Sequence, residues 1–160
     1  MPQKVANHTL NLKFPRSAEA ARLLKSRRRL VAALQEVWRA HRGRPAVIEV
    51  VFVNEATICK LHEEFLGDPS PTDVITFDLG ATPDQRRLGS LYICPAVARQ
   101  HAARFKAPFA EEIRRLIIHG LLHLLGYDDT KPAQRRRMRE RENQILRIIH
   151  SRASSPLTIA

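Results

Sequence analysis

Cysteine is scarce in this chain of 160 residues: Cys59 and Cys94 are its only two, each inside an apolar segment and neither in a C-x-x-C pair. A disulfide scaffold and a cysteine zinc knuckle are thereby excluded, and both thiols are expected to be buried. Aromatic residues make up 6% and are scattered, which argues against the stacking platforms of single-strand binders. No stretch approaches the roughly 20 apolar residues of a membrane span, and residues 1–14 lack the apolar core of a secretory signal, so a cytoplasmic protein is expected. The six glycines and ten prolines are spread as punctuation, with no linker, repeat or low-complexity block. Acids are the last shortage. Sixteen Asp and Glu face 27 Lys and Arg, a net charge of +11, which suggests a basic face turned toward a polyanion.

What is present reads as globular. With 44% hydrophobic and 27% charged residues, one domain over residues 1–150 is expected, followed by a small polar tail, 151–160, that should fray. Alternating Leu10, Leu12 and Phe14 predict a half-buried strand within residues 5–14, closed by Pro15. Ser17 is placed to cap one long helix to about Ala40, with Leu23, Leu24, Leu30, Leu34 and Val37 at helical spacing. Residues 46–53 are nearly continuously apolar and β-branched, a strand buried on both faces, and Asn54 then caps a helix through Leu66. Strands are expected at 73–78 and 90–94, separated by a polar loop containing Pro83 and Gly89. A helix follows Pro95, then the most apolar helix at 109–125, ended by Gly126, and a basic one from about Pro132 to Ser151. The predicted fold class is α/β: a small mixed sheet of about four strands with helices packed on it.

The chemistry is concentrated in His119-Gly120-Leu121-Leu122-His123-Leu124-Leu125-Gly126-Tyr127-Asp128-Asp129. Residues four apart share a helix face, so His119 and His123 can offer nitrogens to one ion. Gly126 lets the chain leave the helix and return, bringing Asp128 or Asp129 within reach. Two histidines and a carboxylate make an open zinc site with a fourth position for water. A bare H-x-x-x-H on an apolar helix is also how two core histidines look, but imidazoles among Leu116, Ile117, Leu121 and Leu122 must be satisfied, and a metal does so.

At these residues the sequence resembles the YbeY family of metal-dependent endoribonucleases and ribosomal RNA maturation factors, whose motif is H-G-x-L-H-L-x-G-Y-D-H. Residues 71–77, Pro-Thr-Asp-Val-Ile-Thr-Phe, are similar to the family's P-T-D-V-L-S-F, and residues 88–95 to its L-G-D-I-x-I-C-P. The resemblance covers roughly residues 46–150. It implies one zinc ion held by His119, His123 and Asp129, which act in catalysis through the metal. It makes Asp128 a supporting residue or loop cap, with Asp73 and Thr72 shaping the cleft. Two positions depart from the pattern. Asp129 stands for a third histidine, which lowers the site's charge and makes the ion a weaker Lewis acid. Leu66 stands where relatives carry an arginine that meets phosphate, and Arg86, Arg87, Arg114 and Arg115 are candidates to replace it.

The basic excess lies in Arg27, Arg28 and Arg29 and, near the C-terminus, in Arg135, Arg136, Arg137 and Arg139. Either run alone reads as a solvated helix face; together they suit phosphates, which arginine binds bidentately. The expected activity is hydrolysis of phosphodiesters in structured RNA, with ribosomal RNA and the small ribosomal subunit as partners and no membrane. A zinc protease is disfavoured because Gly120 stands where such enzymes carry their glutamate base. A non-catalytic RNA-associated factor with a structural metal is the competing class, and Leu66 favours it.

Overall fold

The computed structural model describes residues 8–25 and 27–154. Four strands and six helices are interspersed along it: β1 (Leu10–Lys13), α1 (Ala18–Leu23), α2 (Arg27–Ala40), β2 (Ala46–Phe52), α3 (Glu55–Leu66), β3 (Val74–Ala81), β4 (Arg87–Ile93), α4 (Pro95–Arg104), α5 (Phe109–Leu124) and α6 (Pro132–Ser154). The sheet order is β1-β2-β4-β3. β1 and β4 each run parallel to β2, and β3 returns antiparallel to β4, so the sheet is mixed as its α/β pattern predicts.

Several local signals act as expected. Ser17 and Asn54 cap α1 and α3, and Gly67 ends α3 in the left-handed conformation. The single long helix expected from Ser17 to Ala40 is instead two. Leu24 leaves the helix with φ −111° and ψ 35°, and the Arg27 N–H then donates to the Leu24 carbonyl at 3.0 Å as α2 begins. The strand expected from Val5 is shorter, with residues 5–7 lying outside the described residues. The β3–β4 connection is tighter than expected: both strands lengthen and Gly89 is inside β4, where an added Cβ would meet Ile48 and, on α5, Leu124 at 3.0 and 3.1 Å. β2 is buried through Ala46, Ile48 and Val50, but Glu49 is exposed, so its second face is only partly covered. Cys94 is buried while Cys59 is only half so. The last helix runs through Ser154, so the first residues of the expected tail are helical, and 155–160 lie outside the described residues.

The main core lies between α2, α5 and α6 and the sheet face carrying Ile48, Val50, Leu91 and Ile93. A smaller cluster of Ile58, Ile75, Cys94 and Val97 sits on the opposite face under α3. Alternation along β3 follows: Val74 joins the main core and Ile75 the small one. Gly120 lets α5 press onto the sheet, since a Cβ there would lie 2.5 Å from Leu91 and 3.1 Å from Thr76 Oγ1. Among the described residues no helix is long and apolar enough to cross a membrane.

Candidate metal centre

The centre forms at the C-terminal end of α5 and in the loop after it. His119 and His123 stand one turn apart, with their Nε2 atoms 3.1 Å from each other. Each ring is held through its other nitrogen. His119 Nδ1 donates to Glu142 Oε2 at 3.2 Å, and His123 Nδ1 donates to the Tyr127 carbonyl at 3.0 Å. A carbonyl and an ionised carboxylate only accept, so in the neutral rings both protons sit on Nδ1 and both Nε2 atoms present lone pairs to each other. Facing lone pairs at that distance repel unless a positive charge, a metal ion or a shared proton, lies between them.

The third donor is Asp129, whose Oδ2 lies 3.4 Å from His119 Nε2 and 3.3 Å from His123 Nε2. A tetrahedral zinc ion with bonds of about 2.0–2.1 Å separates neighbouring donors by roughly 3.3 Å, so this triangle fits one face of such a site. Burial opposes a charge on His119, but the hydrogen bond to Glu142 and the charges of Glu142, Asp129 and Asp73 outweigh it and raise its pKa above 6.5. The surroundings thus favour positive charge at this point.

The loop owes its path to Gly126, whose φ of +101° belongs to the left-handed side that favours glycine. The Tyr127 hydroxyl meets His41 Nε2 at 2.9 Å, which ties the loop to α2. Asp128 does not join the donor triangle. Its Oδ1 accepts from the backbone N–H of Asp129 at 2.7 Å and of Thr130 at 3.3 Å, so it caps the loop, and chiefly the Asp129 N–H holds its pKa below 3.8. The two cleft-shaping candidates, Thr72 and Asp73, both line the same cleft as the three donors. Asp73 accepts from His101 Nδ1 at 3.0 Å. Glu112 approaches the same pair, and burial together with the charge of Asp73 raises its pKa above 4.5.

The three donors open on a cleft of about 680 Å³ that crosses β3, the edge strand of the sheet. Phe65 and Leu66, at the end of α3, form its far wall. No lysine or arginine lines it among the described residues. The arginines that could stand in for one at position 66 have partners of their own: Arg87 pairs at 2.6 Å with Asp78, itself a cleft residue, Arg86 approaches Asp84 at 4.0 Å, and Arg114 donates to the Lys25 carbonyl at 3.1 Å. Arg115 lies behind His119, 3.5 Å from Glu142 Oε1.

The two basic runs are not brought together. Arg135 donates to the carbonyls of Asp129 and Thr130, so the α6 run, with Arg136, Arg137 and Arg139 exposed, adjoins the metal loop. Arg27, Arg28 and Arg29 start α2 near Arg114, nine residues before His123 on α5 and so about 14 Å from it along the helix at 1.5 Å per residue. Glu142 and Tyr127 are the functional positions that sequence reasoning missed. Glu142 had a signal: it interrupts the apolar stripe of Met138, Ile145 and Ile149 on α6 and is only 4% exposed. Aromatics scattered in the sequence also converge, since Phe65, Phe77 and Tyr92 touch in series.

Two histidines one helical turn apart, a carboxylate returned to them by a glycine turn, and an open cleft over a mixed α/β sheet together define a metal-dependent hydrolase. Gly120 faces the sheet, so the position of a protease's glutamate base has no room for a side chain. The chain belongs to the YbeY endoribonuclease family: the family model described as Endoribonuclease YbeY matches residues 10–150. It is similar to the Endoribonuclease YbeY of Chlamydia caviae, 35% identical over 129 residues, covering 77% of this chain and 80% of that protein. The same name belongs to a Chlorobium phaeovibrioides relative, 35% identical over 130 residues and covering 79% and 84%. The solution structure of TM1509 from Thermotoga maritima superposes with a TM-score of 0.61 at 25% identity, covering 95% of this chain and 99% of that one.

Proposed function

We propose that this protein is a zinc-dependent endoribonuclease that cleaves structured RNA during ribosomal RNA maturation, acting in the cytoplasm on the small ribosomal subunit. The observation that carries this reading is the convergence of His119 Nε2, His123 Nε2 and Asp129 Oδ2 at the cleft. Two nitrogens and one oxygen at tetrahedral spacing suit zinc better than magnesium, which prefers six oxygens. Bound there, the ion would supply Lewis acidity toward a phosphoryl oxygen and lower the pKa of a bound water.

The chain's own residues hold this arrangement. Glu142 and the Tyr127 carbonyl fix both imidazoles with Nε2 free, and Asp128 shapes the loop that presents Asp129. Arg135, Arg136, Arg137 and Arg139, beside that loop, track phosphates of the RNA, and Arg27, Arg28 and Arg29 engage a more distant segment. The absence of a cation on the cleft wall favours a second reading, a non-catalytic RNA-associated factor whose zinc is structural. Metal analysis joined to RNA cleavage by purified protein separates the two. About one zinc per chain and cleavage lost in His123→Ala support the nuclease; full zinc occupancy without turnover supports the factor, and metal retained by His119→Ala/His123→Ala refutes both.

A further inference from the structure

The far wall of the cleft is apolar and solvent-facing. Phe65 and Leu66 are 57% and 65% exposed although both line the space that holds the metal ligands. Single exposed apolar residues need no explanation, but this pair flanks the reaction site. The Phe65 ring is also braced. It meets Phe77 edge-on at 4.9 Å, and Phe77 meets Tyr92 edge-on at 5.5 Å, so three rings run in series from β4 through β3 to α3. The ring is therefore held in place with much of its surface open.

Charge narrows what can lie against it. Asp73, Asp78 and Asp129 line the cleft and no lysine or arginine does, while Arg87 beside it is paired with Asp78 at 2.6 Å, so no side-chain cation is offered to a substrate phosphate on this wall. A nucleotide's other surface is its base, whose π face stacks on exposed aromatic rings without sequence preference. The metal ligands stand at the end of α5 and in the loop after it, and Phe65 on α3, on opposite sides of the β3 edge. A strand of RNA laid over that edge presents a phosphodiester to one side and a base to the other.

We propose that Phe65, extended by Leu66, is a stacking shelf for the base of a nucleotide adjacent to the scissile phosphate, and so a positioning residue for cleavage. The proposal rests on the nuclease reading for its substrate, RNA. Leu66 then widens the shelf at the position where the family pattern has an arginine.

The test is a cycle between protein and RNA, run on the zinc-loaded protein with a fluorescein-labelled unstructured decaribonucleotide and a set of the same decamers each made abasic at one nucleotide. Anisotropy gives Kd, and gel analysis gives kcat and KM. For wild type, removal of one particular base should weaken binding about 5- to 100-fold, the range of lost base–aromatic stacking. Phe65→Leu should show a loss of that size on intact RNA, mainly in KM, and no further loss with that abasic decamer. Phe65→Trp should restore wild-type affinity, and zinc content and melting should stay unchanged in both variants. The shelf is refuted if Phe65→Leu binds and cleaves intact RNA within twofold of wild type, or if its loss adds to the abasic loss at every position. Coupling in Kd without wild-type cleavage sinks the nuclease reading and supports the shelf; cleavage without coupling sinks the shelf alone, and no binding of the decamer sinks the shelf.

Discussion

Replacing Glu142 by Gln tests the support behind the metal centre. Glu142 is 4% exposed, and its carboxylate accepts from two groups, His119 Nδ1 at 3.2 Å and Arg115 Nη1 at 3.5 Å. Glutamine keeps the volume but has one acceptor oxygen and one donor group. If the oxygen faces His119, the amide N–H₂ confronts the Arg115 guanidinium, donor against donor. If it faces Arg115, the amide donates toward Nδ1 and drives the neutral ring to carry its proton on Nε2, the atom needed for zinc. Either orientation defeats one of the two contacts. Loss of such a supporting partner costs about 10- to 100-fold in metal affinity, and an unsatisfied buried donor about 1–3 kcal/mol of stability. At roughly 2–4 °C per kcal/mol for a chain of this size, a cost near 2 kcal/mol lowers Tm by about 4–8 °C. Zinc Kd by chelator competition and melting of the metal-free protein measure both. Glu140→Gln, an exposed acid on the same helix, controls for net charge. A Glu142→Gln variant with zinc affinity within twofold of wild type and an unchanged Tm would show that Glu142 does not orient His119.

Helix α5 and its metal pair were legible because the i, i+4 rule is local: once the apolar period sets the helix, His119 and His123 must share a face. The loop was legible for the same reason, since Gly126 supplies the left-handed turn that Tyr127, Asp128 and Asp129 need. Contacts between distant segments were harder. The partner of His119 comes from α6, 23 residues further on, and only the acid within that helix's apolar stripe hinted at it. The break between α1 and α2 was hidden because Leu23 and Leu30, seven apart, fall in phase as they would in one helix, so the period alone does not report an interruption. The partners of the candidate arginines were not legible, because the ion pairs that engage Arg87 and Arg115 arise only when β3, β4, α5 and α6 come together.

Asp129→His should tighten zinc binding in the same competition assay, because a third imidazole completes the family's ligand pattern; weaker binding would contradict the donor assignment. Replacing Arg135, Arg136 and Arg137 by Gln should reduce the slope of log Kd against log salt by about 2–2.7 while zinc content holds, and an unchanged slope would make this run a solvated face. Asp78→Asn should raise RNA affinity by releasing Arg87 beside the cleft. The Arg87 hydrogen bond, with the Gly80 N–H, holds the Asp78 pKa below 3.8, so the carboxylate stabilises the fold above that pH and the benefit is lost as pH falls through the folded value. The variant's acid unfolding limb should therefore be flatter than that of the wild type, and coincident limbs would show that the pair is idle. Leu66→Arg is the most direct probe of the missing cation. The side chain is 65% exposed and lines the cleft, so arginine fits without repacking and reaches a wall that carries no positive charge. A donor aimed at charge developing in the transition state is worth about 10²- to 10³-fold in rate. Under the nuclease reading kcat should rise by a sizeable part of that factor, whereas a binding factor would gain RNA affinity and no turnover. An unchanged rate in the presence of wild-type cleavage would mean that an arginine at position 66, on the base side of the β3 edge, does not reach across to the scissile phosphate, and it would then act in this chain only through affinity.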